Sequence, residues 1–381
     1  MRPIYLDCNA TTPIEPAVAE IMMKYTDEEF GNSGSRTHIY GQTAKKAVNK
    51  AREQVAALVD VGPEEVIFTS GATESNNLAI LGLLPYGNKV GKKHIISTAI
   101  EHKAVLEPLK EAEEKGFEVT YLKPNKDGLI SVKDLTNYMR NETLLVSIMH
   151  VNNETGVIQP IDEVCKLLKD HECYIHTDAA QSFGKISDTL KNKRIDLISG
   201  SAHKLYSAKG IGTLITRTRN YETPPLKPLF FGGGQERGLR PGTLPVALLA
   251  AFGLASEMAA QDMKKRNQQN ETLKKTIIKQ LKDLPIKLNN PPELTNSTTI
   301  NFHFDQFDSE SAILALKENV CISNGSACTS ASYTPSHVLL AQGLSKDESM
   351  SSIRLSWSHF NTEKEINFFS NNLRIILKNI L

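Results

Sequence analysis

From about residue 5 to residue 212, short apolar runs alternate with stretches of wider, helical spacing. The runs at 66–69, 94–97, 145–150, 174–178, 197–200 and 212–216 read as strands. Segments such as 41–58 and 161–168 carry the spacing of amphipathic helices. This alternation predicts an α/β fold with a largely parallel sheet covered on both faces. From 245 to about 284 the spacing predicts one long helix or a helix pair, strongly charged after Met263. Beyond it, strands at 298–304, 319–323 and 353–357 and helices at 309–316 and 362–380 predict a smaller α+β domain.

In such sheets ligands gather beyond the carboxyl ends of the strands, and the unusual polar residues of this chain fall there. After 66–69 comes Ser70-Gly71-Ala72-Thr73-Glu74-Ser75-Asn76-Asn77, small residues opening a helix. Free backbone N–H groups and a hydroxyl at a helix N-terminus suit a phosphate. Glu101-His102-Lys103 follows the second run and Asn152-Asn153-Glu154-Thr155-Gly156 the third. The fourth ends on Asp178, with Ala180 and Gln181 behind it, and the fifth leads into Ser201-Ala202-His203-Lys204. A His-Lys pair in a Ser/Gly loop is ordinarily solvated and inert. The alternative is a lysine held deprotonated to bond an aldehyde cofactor. Asp178 reads either as an N-cap for a following helix or as the partner of a pyridine nitrogen, which pyridoxal phosphate (PLP) needs.

Composition narrows the classes. The chain has 381 residues, enough for one large domain or a large and a small one, with 44 Lys+Arg against 43 Asp+Glu and a formal charge of +1. No nucleic-acid or membrane footprint follows from that balance. The most apolar window, 244–260, is interrupted by Pro245, Ser256 and Glu257 and reads as a buried helix. Five cysteines, odd in number and without a C-x-x-C pair, fit free thiols in a reducing compartment, so the expected location is cytoplasmic.

Two glycine patterns fail as dinucleotide fingerprints. Arg237 stands where the third glycine after Gly232 and Gly234 would be needed, and Ile215 where it would follow Gly210 and Gly212. No P-loop occurs. Cys165, His171, Cys173 and His176 lie close in sequence, but strand alternation turns Cys173 and His176 to opposite faces, so no metal is expected. The stretch 323–332 is different. Eight of its ten residues are Ser, Thr, Gly or Ala, with Cys328 in the middle. A buried cysteine usually behaves as a small hydrophobe among apolar neighbours. One on a small-residue loop suits a nucleophile that must travel.

Taken together, Tyr5-Leu6-Asp7 with Ala10-Thr11-Thr12-Pro13, Phe30-Gly31-Asn32, residues 69–76, Ser201-Ala202-His203-Lys204, Gly232 to Gly238, Gly242-Thr243-Leu244-Pro245 and Gly325-Ser326-Ala327-Cys328-Thr329-Ser330 resemble the NifS/IscS-type cysteine desulfurases. The likeness runs almost end to end. It implies PLP-dependent fold type I: a large domain, 14–250, with a mostly parallel seven-stranded sheet, and a small α+β domain of 1–13 and 251–381. It implies Lys204 as the Schiff-base lysine, Asp178 on the pyridine nitrogen, His102 stacked on the ring, and Asn153 and Gln181 steadying its substituents. Ala72, Thr73, Ser201 and His203 would hold the phosphate, joined by Thr243 from the second subunit of a homodimer. Arg354 would clamp the substrate carboxylate, with Asn32 and Asn153 lining the substrate pocket. Cys328 would take sulfur from L-cysteine as a persulfide for an acceptor protein, leaving alanine. Another PLP enzyme of the fold, such as a selenocysteine lyase, and a non-catalytic docking scaffold are the competing readings. Departures at Cys8-Asn9, Ser33-Gly34-Ser35 and Trp357-Ser358-His359 are expected to touch no residue given a role. They look most like the branch supplying DNA phosphorothioate modification, beside iron–sulfur and tRNA-thiolation supply.

Overall fold

The computed structural model describes residues 2–305, 307–324 and 334–380. Its strands are β1 (Ile4–Tyr5), β2 (Val66–Thr69), β3 (His94–Thr98), β4 (Glu118–Leu122), β5 (Thr143–Ser147), β6 (Tyr174–Asp178), β7 (Leu197–Ser201), β8 (Gly212–Thr216), β9 (Ile286–Leu288), β10 (Thr299–Phe304), β11 (Val320–Cys321) and β12 (Ser352–Ser356). Strands β2 to β8 form one sheet in the order β2-β8-β7-β6-β5-β3-β4. All neighbours are parallel except at β8, which is antiparallel to both β7 and β2. β2 therefore points the same way as β7, and the carboxyl ends of β2, β3, β5, β6 and β7 share one edge.

The central strand residues are apolar on both faces because successive residues enter two different cores. Phe68, Ile96, Val146, Ile198 and Ile215 pack on one face with Val48, Val55 and Phe252. Their neighbours Ile67, Ile95, Leu145, Leu197 and Leu214 pack on the other with Leu78, Val105 and Leu109. A strand buried on both faces has no polar side to alternate with.

The expected long helix is a single one, Val246–Leu281, of 36 residues and about 54 Å at the usual rise. Its first half gives Leu249 and Phe252 to the large-sheet core. Its last turns give Leu273, Ile277 and Leu281 to a separate core around β10, β12 and the helix Glu363–Ile380. There β12-β10-β9 form an antiparallel sheet. β1 pairs in parallel with β11, so the N-terminus lies beside elements more than 300 residues later. Among the described residues no helix is long and apolar enough to cross a membrane.

The glycine-rich turn is anchored. Glu236 is buried, accepts the Phe68 N–H at 2.8 Å and pairs with Arg52 at 2.5 Å, fixing the turn Gln235–Gly238 to β2.

Candidate active site

A cavity of about 370 Å³ opens at the shared carboxyl edge, lined by residues that follow β2, β3, β5, β6 and β7, together with Asn9, Ala10 and Arg354. At β2 the chain turns into the helix Ala72–Leu81 through Gly71, whose φ of 157° and ψ of 177° lie in a region open essentially to glycine. A Cβ on Gly212 would sit 2.6 Å from the Gly71 Cα, so β8 can start in contact with this turn because residue 212 is glycine. Ala72 and Thr73 bring the first helical turn to the cavity wall. An α-helix leaves the N–H groups of that turn without partners inside the helix. Ser201, His203 and Lys209 line the same region. Burial, with Lys204, Lys209 and Lys185 adding to it, lowers His203 to about 4, so it is a neutral hydrogen-bonding group. Its Nδ1 lies 3.2 Å from the Thr11 Oγ1.

Asp178 ends β6 almost fully buried. Its Oδ2 accepts from Asn76 Nδ2 at 2.7 Å and its Oδ1 from the Ala180 N–H at 2.9 Å. The N-cap alternative fails, because turns rather than a helix follow residue 178. Lys204 closes the turn Ala202–Lys204, and its Nζ donates to the carbonyl oxygens of Asn9 and of Ala10, the latter at 3.0 Å. The Cys8-Asn9 departure is therefore not clear of the site, as expected, but in it. The Asn9 carbonyl also accepts from Gln181 Nε2 at 3.0 Å. The reason lies in the fold: Thr12 bonds to the His203 carbonyl, and Tyr206 N–H to the Thr12 hydroxyl, stitching the N-terminal motif onto the lysine turn.

His102 caps the helix Lys103–Glu114, its Nδ1 accepting the Ala104 N–H at 3.0 Å. That bond assigns its proton to Nε2. Burial lowers its affinity for a second proton, opposed by Asp178 and reinforced by Lys204. Behind it, Glu101 is completely enclosed. Burial lifts its carboxyl to about 8 even though the Met149 N–H and the Thr98 hydroxyl donate to it.

Folded Glu101 holds its proton more tightly than the unfolded chain does. Its contribution to stability is complete below the ordinary carboxylate value and is lost as pH rises through about 8. Glu101→Gln, neutral at every pH, is expected to remove roughly 2–4 kcal/mol of stability loss between about pH 5 and pH 9. Urea midpoints of both proteins across that range measure it, and parallel curves would dismiss the carboxyl as their cause.

The expected residues divide clearly. Ala72, Thr73, His102, Asn153, Asp178, Gln181, Ser201, His203, Lys204 and Arg354 line one cavity. Asn32 and Thr243 do not line it in their own chain: Asn32 Oδ1 is turned to the Gly34 N–H at 2.8 Å, and Thr243 is exposed. Cys328 lies outside the described residues. Asn9, Ala10, Asn76 and Lys209 were not singled out by the sequence reading, yet they belong to the site.

PLP fits this donor set. The cavity is lined both by the first turn of the helix Ala72–Leu81 and by the Asp178 carboxylate. Among its lining residues, the buried Asn9 Oδ1, Asn153 Oδ1, Gln181 Oε1 and Arg354 Nε have no hydrogen-bond partner among the described residues. Buried polar atoms are normally satisfied, and a polar ligand would satisfy these.

The aminotransferase class-V family matches residues 4–369. The cysteine desulfurase IscS of Vibrio vulnificus is 45% identical over 381 residues, covering 99% of this chain and 93% of the relative. The crystal structure of DndA from Streptomyces lividans superposes with a TM-score of 0.82 at 45% identity, covering 92% of this chain and 98% of that one. A structure described as SspA in complex with cysteine superposes at 0.81 and 37% identity, covering 94% and 100%. The chain belongs to the aminotransferase class-V family, in its PLP-dependent cysteine desulfurase branch.

Proposed function

We propose that the protein converts L-cysteine to L-alanine and holds the released sulfur on Cys328 as a persulfide for an acceptor protein. The supporting observation is the gathering of Lys204, Asp178, His102 and Arg354 at one cavity. Bound PLP supplies an aldehyde for amines and a ring that takes up the electron pair left when a Cα–H bond breaks. Lys204 would hold that aldehyde and, once released, its amine would accept the Cα proton. Asp178, fixed by Asn76 and the Ala180 N–H, would keep the pyridine nitrogen protonated. His102 would cover the ring, and Asn153 and Gln181 would offer their unpartnered oxygens to its substituents. Arg354 would pair with the substrate carboxylate.

Three of the other thiols are poorly suited to the nucleophile's role. Burial pushes Cys8 and Cys173 up to about 11 and Cys165 to about 12, so each stays protonated at neutral pH. The described residues on both sides of the cysteine stretch reach the site region. The Ser323 C=O accepts the Arg354 N–H at 2.6 Å, and Ser336 bonds to Glu154 at 2.5 Å. That SspA was solved with cysteine supports the same substrate here.

Thr243 and Asn32 would serve the site of the second subunit in a homodimer. The exposed Phe30, Ile39 and Phe231 support such a covered face. Residues 14–250 would form the large domain and 1–13 with 251–381 the small one, in a cytoplasmic protein. We assign the sulfur to DNA phosphorothioate modification, on the unusual residues at 8–9, 33–35 and 357–359 and the likeness to DndA. IscS is equally similar at 45%, so iron–sulfur supply is the reading to test against it.

Incubated with L-cysteine, the protein is expected to release alanine and to carry one additional sulfur atom on the peptide containing Cys328, read by mass spectrometry without reductant. Alanine without that adduct at any cysteine would point to a different sulfur route. Affinity capture with the loaded protein decides the destination, since recovery of an iron–sulfur scaffold alone would overturn the phosphorothioate assignment.

A further inference from the structure

The side chain proposed to clamp the substrate carboxylate already holds a carboxylate of its own chain. Arg354 Nη2 donates to Asp7 Oδ1 at 2.5 Å, and its Nη1 donates to the Asn153 carbonyl at 3.0 Å. Its Nε is buried and has no hydrogen-bond partner among the described residues. The two partners differ in exposure: the Arg354 side chain is 4% exposed and that of Asp7 18%. Asp7 is placed there by the fold, through a bridge to Ser356, two residues beyond Arg354 on β12.

We infer that Asp7 is a resident counter-ion for Arg354 that the substrate carboxylate must displace, so that Asp7 sets the affinity of the site for amino acids. This rests on the reading of Arg354 as the carboxylate clamp. The physical reasoning concerns charge. A buried guanidinium without a counter-ion is costly, so the ligand-free protein keeps one beside it. With Asp7 in place the pair is neutral, and an arriving carboxylate meets Arg354 already screened by a like charge. The free Nε offers the newcomer a first hydrogen bond. Two carboxylates on one guanidinium repel each other, and the more exposed Asp7 is the one with water to turn toward. The same segment supplies the Asn9 and Ala10 carbonyls to Lys204. Residues 7–10 thus take both places where ligand groups would bind, Asp7 at Arg354 and the Asn9 and Ala10 carbonyls at Lys204.

The test compares holoenzyme variants by titration with L-alanine, followed by the absorbance of the bound cofactor. Ethylamine, which is alanine without its carboxylate, serves as the control. Asp7→Asn is expected to bind L-alanine about fivefold more tightly, the effect of one partly exposed ion-pair partner. Ethylamine binding should not change. KM for L-cysteine should fall in step while kcat stays level, the pattern of a change in uniform binding. Unchanged or weakened L-alanine binding in Asp7→Asn overturns the inference, as does an equal change with ethylamine. Asp7→Ser also removes the charge and replaces the amide variant if that one does not fold. Arg354→Gln separates the two readings. If it leaves L-alanine binding intact, the clamp assignment falls; if it weakens binding while Asp7→Asn changes nothing, only the role of Asp7 falls.

Discussion

Cys328→Ala is expected to abolish conversion of L-cysteine to L-alanine, by about 10³-fold or more, while the protein keeps its cofactor. The cavity explains why the two properties separate. Apart from Thr243 of the second subunit, the groups proposed to hold the cofactor stand at the large sheet's carboxyl edge, and none of those roles is given to Cys328. The variant should therefore purify yellow, and its absorbance should still respond to L-cysteine. What it lacks is a thiolate to attack the substrate sulfur, a step none of Cys8, Cys165 or Cys173 can take over while burial keeps them protonated. Undiminished alanine production in this variant would remove Cys328 from the chemistry. A colourless variant would instead give that residue a structural task.

Which parts of the molecule were legible in the sequence follows from where each part finds its partners. Strands β2, β6 and β8 fall at the predicted bounds, where apolar residues feed the cores on both faces of the sheet. β5 starts two residues earlier than expected, since its first residue is Thr143, whose hydroxyl is buried against His94 Nδ1 at 2.8 Å. No run of apolar residues announces that polar pair. β4 was missed altogether: Glu-Val-Thr-Tyr-Leu is an edge strand, its first residue exposed and only its last fully buried. It is half polar, as sheet edges tend to be.

The site divides along the same line. Lys204, Asp178 and His102 follow strand ends, so their positions could be read from local pattern. Asn9 acts on Lys204 through its backbone carbonyl, which every residue type possesses, so its identity carried no signal. Asp7 and Arg354 are 347 residues apart, and only the pairing of the chain's first residues with its last strands brings them together. Asn76 stood inside the phosphate motif but works on Asp178, a task its position in the helix does not reveal.

Lys204→Ala carries the second large effect, and it has two separable parts. Turnover is expected to fall by about 10⁴-fold or more, because the residue proposed both to fix the cofactor and to accept the Cα proton is gone. PLP should then be lost on gel filtration and no longer be fixed by borohydride. Stability of the cofactor-free protein should fall as well, by about 1–3 kcal/mol, since the Asn9 and Ala10 carbonyls lose the Lys204 amine that donates to them. Lys204→Arg tells the parts apart. A guanidinium can donate to carbonyl oxygens but does not give up its proton at any pH the protein survives. It is therefore expected to recover much of the stability and none of the turnover, whereas added ethylamine should restore some turnover to Lys204→Ala by supplying a base where the side chain is missing. Turnover near the wild-type level in Lys204→Arg would mean that charge, not proton transfer, is what the reaction asks of this position.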